Sequence, residues 1–239
     1  TGANRWDGYL SGVDAPPRVV NPADGRLWSA NARTVGGTAL ALIGNGGYDL
    51  GARGQQIRDG LLAQPKLDEA ALHGIQLDHR ALFLQRWRKL LVDEVLTPEF
   101  VAKNGLADYR SAVEKSADAA AVDAAGYAFV RAFRERSLEQ LFAPLAALME
   151  SRQLKLRDLK LVPETPAWAL IQARRNDALP AGGSWQQLFE KAVLETRASP
   201  VWGEQNRAKI QHPLSQAIPL LSRLLDMPST PLAGDRHMP

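Results

Sequence analysis

The chain has 239 residues, 45% of them hydrophobic, a formal net charge of +3, four histidines and no cysteine. That length supports a substantial core in one large or two small domains, and since no block of like charge runs five or six residues, neither nucleic acid nor an acidic membrane is indicated as a partner. The absence of cysteine excludes a disulfide and a thiolate nucleophile, His73, His79, His212 and His237 lack metal-ligand spacing, and no apolar run reaches membrane-spanning length.

The first 43 residues or so carry β signals. Trp6 to Leu10, Arg18 to Val20, Leu27 to Val35 and Ala39 to Ile43 after the Gly36-Gly37 break read as short strands or extended segments. Between them, Asn21-Pro22 followed by Asp24-Gly25 is strong turn punctuation, because proline fixes φ and glycine accepts φ > 0. The turn runs into Leu27, Trp28, Ser29 and Ala30, expected as a short buried strand that delivers Asn31. A buried Asn is costly unless its amide is paired. From the residues alone, Asn31 is either bonded to a neighbouring loop backbone or holds an N–H toward an oxyanion. Gly44-Asn45-Gly46-Gly47 is a joint, and it lacks the lysine and hydroxyl residue of a phosphate-cradling loop.

From Asp49 onward the pattern is helical. Asp49 is expected to cap a helix through Ala63 in which Arg53, Ile57 and Leu61 share one inward face. Leu84, Trp87, Leu91 and Val95 form the next stripe, so Trp87 belongs to a core although it sits in an Arg-Trp-Arg-Lys run. The longest helix spans about Asp123 to Glu150, with Leu138, Leu141, Phe142, Leu145, Leu148 and Met149 on its apolar face, a kink expected at Pro144, and Arg131, Arg134 and Arg136 on a solvated face. Thr165-Pro166 reads as an N-cap and N1 proline of a helix through Arg175. Ser184 and Gln187 form a capping box ahead of Trp185, Leu188, Phe189, Ala192 and Val193. A last helix carries Leu214, Ile218, Leu221 and Leu225 before Pro228, Pro231 and Gly234.

With no repeat or low-complexity segment, the layout reads as α+β: a β-rich head of about residues 1–43, a mostly helical body of about 49–226 and an irregular tail of 227–239, in a single partial domain.

Several stretches, taken in order, resemble the penicillin acylase (penicillin amidase) family of N-terminal nucleophile hydrolases. Arg5-Trp6-Asp7-Gly8-Tyr9-Leu10, Pro17, Asn21-Pro22, Gly25 and Ala30-Asn31 look like the segment carrying the family's oxyanion-hole asparagine, with Ser11 where a proline is usual. Gly47-Tyr48-Asp49-Leu50-Gly51-Ala52-Arg53 through Asp59 resembles its arginine-bearing helix, and Ile75-Gln76-Leu77-Asp78 its Ile-Gln-x-Asp segment. Trp202-Gly203 and His212-Pro213 are similar to its late Trp-Gly and His-Pro elements.

The resemblance implies an αββα N-terminal nucleophile hydrolase fold of which this chain is an internal piece, since the pattern starts at Thr1 in mid-course. It implies cleavage of small acyl amides through an acyl-enzyme, with Asn31 in the oxyanion hole and Arg53 ordering the site. The nucleophile in such enzymes is the first mature residue, whose own α-amine is the base; in the family it lies upstream of the asparagine, so Thr1 is not expected to serve and the isolated chain is expected to be inactive. The family's calcium carboxylate would fall in Leu42-Ile43-Gly44, which matches no ligand, so no metal or cofactor is assigned. Partners implied are the other segments of one precursor, an upstream nucleophile-bearing part and downstream strands, with a periplasmic or secreted parent. The alternative is a non-catalytic helical interaction domain or an inactive family member.

Overall fold

The computed structural model describes residue 8 and residues 16–44, 46–155, 162–180 and 182–239. The chain forms two compact units, Thr1–Ile75 and Gln76–Pro239.

Three helices belong to the N-terminal part of the chain: α1 (Gly37–Ile43), α2 (Ala52–Leu62) and α3 (Glu69–Gln76). The β-rich head is not observed: among the described residues there is no strand, only two isolated bridges, Arg80 with Ala119 and Arg207 with Pro231. The expected α+β class and αββα layering are therefore corrected to a helical chain with irregular connections. Each departure has a local cause. Ala39 to Ile43 alternates Ala and Leu, both apolar and both strong helix formers, so the alternation carries no inside-outside signal and the segment coils into α1. Leu27 to Val35 is interrupted by Ala30 and Asn31 at φ 53° and 59°, a pair of left-handed residues through which no strand can run. Val19 and Val20 are exposed on an unpaired stretch, and Trp6 to Leu10, Gly8 apart, lies outside the described residues.

The hydrophobic core of the described residues lies entirely between Ala81 and Met238. A 3-10 turn (Leu82–Leu84) leads into α4 (Gln85–Leu90) and a π turn (Leu91–Val95), followed by α5 (Pro98–Asn104), α6 (Ala107–Ser116) and the 26-residue α7 (Ala125–Glu150). Trp87 is fully buried, edge-on to Phe133 and Trp168 at 6.1 and 5.2 Å between ring centroids, which makes it core rather than a stacking platform. Gly126 lets α7 cross α6 closely, since a Cβ there would overlap the Ala112 carbonyl, and its N–H donates to Ser116 Oγ at 2.9 Å.

Helix α7 continues through Pro144, and of its expected apolar face Leu138, Leu141 and Met149 are buried while Leu145 and Leu148 are exposed. The arginines on it are not all solvated. Arg134 is buried against Glu164, and Arg131 is half-buried against Asp235. The helix α8 (Glu164–Ala173) begins one residue before Thr165, with Pro163 in the capping position, because Glu164 is drawn inward by Arg134 and Arg86. In α9 (Trp185–Thr196) the Ser184 capping box forms, and Trp185, Leu188, Phe189, Ala192 and Val193 are all buried.

The expected last helix breaks into α11 (Pro213–Ala217), a 3-10 turn and α12 (Ser222–Leu225), as Pro219 supplies no N–H, and Leu214, Ile218, Leu220 and Leu224 stay exposed. The irregular tail is nonetheless built into the fold. Helix α10 (Trp202–Gln205) donates from Trp202 Nε1 to the Gly234 carbonyl at 2.8 Å, Asp235 bonds Tyr127 and Arg131 at 2.6 and 2.8 Å, and Met238 is buried.

Candidate functional site

The segment from Pro22 to Ala32 is held against α2 at two places. At its start, Gly25 N–H donates to the Pro22 carbonyl at 2.8 Å, closing the expected turn with Gly25 at φ 64°. Arg26 then reaches the chain beyond α2, donating from Nη2 to the Gln64 and Pro65 carbonyls at 2.7 and 3.0 Å. At its end the chain turns again, with Ala32 N–H donating to the Ser29 carbonyl at 3.1 Å and Ala30 and Asn31 left-handed. Asparagine tolerates that conformation through its short polar side chain, whereas alanine does so at a cost of about 1–2 kcal/mol. Strain of this kind persists only where surrounding contacts enforce it.

Arg53, in the first turn of α2, supplies those contacts. Its Nη2 donates to Asn31 Oδ1 at 2.6 Å and to the Ala30 carbonyl at 3.1 Å, and it meets Asp49 Oδ2 at 3.4 Å. Asp49 does not cap α2. The capping position falls to Gly51, while the Asp49 carboxylate faces Arg53 and its N–H donates to the Asn31 carbonyl at 3.0 Å. Turn and helix are thus joined through both the side chain and the backbone of Asn31.

The chemical consequence lies in the asparagine amide. A guanidinium has donors and no acceptor, so only the oxygen of the Asn31 amide can face it. Oδ1 is held by Arg53, and the Nδ2 donors occupy the other branch of the amide. Asn31 is exposed rather than enclosed in a buried strand, because the left-handed pair lifts it out of extended backbone. Arg53 is half-buried with its Nε enclosed and unpartnered.

Other residues singled out by sequence fall elsewhere. Thr1 lies outside the described residues. Leu42-Ile43-Gly44 forms the end of α1, and among the described residues no group of three or more His, Asp or Glu is placed to hold a metal ion. In the second unit, Trp202-Gly203 docks on the Val122 carbonyl and the tail, and His212 caps α11 by accepting from Leu214 N–H at 3.2 Å. Gly54, tucked against the Ser29–Ala32 turn, was not singled out by sequence; the only signal was a glycine next to the arginine.

The family model described as penicillin amidase matches residues 1–239. The chain belongs to the penicillin amidase family. Among proteins of the family, it is 29% identical over 252 aligned residues to the penicillin acylase 2 proenzyme of Pseudomonas sp. (strain SE83), an alignment covering 98% of this chain and 30% of that protein. The chain thus spans under a third of the length of this penicillin amidase relative.

Proposed function

We propose that this chain is the part of an acyl amide hydrolase that supplies the oxyanion-stabilising donor, Asn31, with Arg53 as the residue that orders it. The observation that carries the reading is the 2.6 Å bond from Arg53 Nη2 to Asn31 Oδ1, which assigns the two ends of the amide and leaves N–H, not oxygen, available for an anion. Membership of the penicillin amidase family and a relative named as an acylase proenzyme support the reaction class.

In this scheme the nucleophile, a side-chain oxygen on the N-terminal residue of an upstream segment of the same precursor, attacks the carbonyl carbon of a small acyl amide. The carbonyl π electrons move to oxygen, and the developing oxyanion accepts from Asn31 Nδ2. The nucleophile's proton passes to its own α-amine and then to the leaving amine as the C–N bond breaks. Water attacks the acyl-enzyme by the same route and releases the acid. The scheme draws on no cofactor or metal. Downstream segments of the precursor are further partners, the parent protein is periplasmic or secreted, and residues 1–239 alone lack the nucleophile and hydrolyse no amide.

The test is Asn31→Ala in the complete, processed protein. We expect kcat lower by about 10²–10³ with the fold intact, since the lost donor acts mainly in the transition state. A loss under about tenfold removes Asn31 from this role and favours a different donor.

A further inference from the structure

We propose that Gly54 is a positioning residue for Asn31: lacking a Cβ, it lets α2 seat against the Ser29–Ala32 turn at the separation that brings Arg53 onto the Asn31 amide. Its kinetic readout rests on the proposed role of Asn31, whereas its geometry does not.

Backbone conformation gives no reason for glycine at this position. Gly54 is the third residue of α2 and has no positive φ. Inside a helix, glycine is less favourable than alanine, because it loses more backbone freedom on folding. What glycine supplies here is space. It is buried, and a Cβ built on it would meet Ser29 O and Ala32 Cβ at 3.2 Å each, closer than ordinary van der Waals contact. Both neighbours belong to the turn that carries Asn31. Ser29 O is backbone and already closes that turn by accepting from Ala32 N–H, so it cannot yield without moving Ala30 and Asn31. Arg53 precedes Gly54 and makes its bonds to those same two residues. A side chain at 54 therefore separates helix from turn just where the shortest bond of the site spans them.

Gly60, on the same helix, is the internal control. A Cβ there would meet Ile75 Cγ1 at 3.1 Å, a side chain of α3 and not an atom of the turn that carries Asn31.

The experiment compares Gly54→Ala with Gly60→Ala in the complete, processed protein, following kcat, KM, Tm and the Asn31 side-chain amide resonance, assigned through its loss in Asn31→Ala. For Gly54→Ala we expect kcat lower by about tenfold, given that misplacement by 1 Å costs roughly 10²-fold, with KM within about twofold, Tm unchanged or raised, and the Asn31 amide resonance displaced. Gly60→Ala should leave kcat and that resonance at wild-type values. If Gly54→Ala lowers Tm, kcat and the resonance are read well below its unfolding transition, where a lowered kcat with the Asn31 resonance displaced supports the proposal and a lowered kcat with that resonance unmoved overturns it. Wild-type kcat with an unmoved Asn31 resonance in Gly54→Ala also overturns it. If Asn31→Ala itself keeps wild-type kcat while Gly54→Ala still displaces the resonance, the oxyanion reading fails and the positioning role stands.

Discussion

Arg134 and Glu164 form a buried pair in which Nε and Nη2 of the arginine both lie 2.8 Å from Oε2 of the carboxylate. The other oxygen accepts from Trp87 Nε1 at 2.7 Å and from Arg86. One carboxylate at the start of α8 thereby ties α8 to α4 and α7, and its place in the first helical turn also favours negative charge. Breaking a buried pair leaves an uncompensated charge.

Glu164→Ala should therefore lower stability by about 3–5 kcal/mol, stranding the Arg134 guanidinium and the Trp87 N–H. Urea denaturation monitored by tryptophan fluorescence measures it. A loss under about 1 kcal/mol would mean that Arg134 reaches water and the pair behaves as a surface bridge. Glu164→Gln, which keeps an acceptor for Trp87, should cost less than Glu164→Ala.

The tail from Gly234 to Met238 should loosen in acid. Burial holds His237 down to about 4, against the pull of Asp235 upward and with Arg134, Arg236 and Arg131 adding to the depression; its ring packs on Phe83 at 5.2 Å. Burial opposes ionisation of Asp235, yet hydrogen bonds from Tyr127 and Arg131 and the arginine's charge outweigh it, so its carboxyl lies below the usual value. For His237 the released state binds a proton from about pH 6.5 downward while the docked state resists until about 4, so docking weakens as pH falls through that window. Asp235 continues the trend below the ordinary carboxylate range. Amide exchange at Gly234 and Met238, followed from pH 7 to 4 after correction for intrinsic rates, should accelerate, and His237→Phe should flatten the rise above pH 4. An unchanged profile in that variant would assign the effect elsewhere.

Ser184 accepts from Gln187 N–H at 3.2 Å, and Gln187 Oε1 accepts from Ser184 N–H at 3.0 Å. Ser184→Ala should cost about 1 kcal/mol, and Ser184→Gly only a few tenths. Chemical denaturation midpoints report both. A Ser184→Ala variant as stable as wild type would show that the serine hydroxyl adds nothing.

Arg53→Lys should not rescue the site. An ammonium keeps the charge, but both bonds come from the arginine's terminal Nη2, a position the shorter lysine side chain does not reach, so it cannot hold the Asn31 oxygen and the Ala30 carbonyl in their present geometry. In the complete protein, kcat should fall by about ten- to hundredfold, and to a similar extent in Arg53→Ala. Near wild-type turnover in the lysine variant would reduce the role of Arg53 to charge alone.

Features decided by near neighbours along the chain were legible in the sequence. The Pro22–Gly25 turn and the capping box at Ser184 follow from contacts within four residues, the buried face of α9 is marked by the 3–4 spacing of its apolar residues, and the ordered Asn-Pro, Ala-Asn and arginine-helix motifs identify the family. Tertiary structure decided the rest, because strands and long polar side chains depend on partners far along the chain. Arg134 turns inward because Glu164, 30 residues away, awaits it. Asn31 and Arg53, 22 residues apart, were each named from sequence, but the bond between them and the close approach at Gly54 arise only when helix and turn meet.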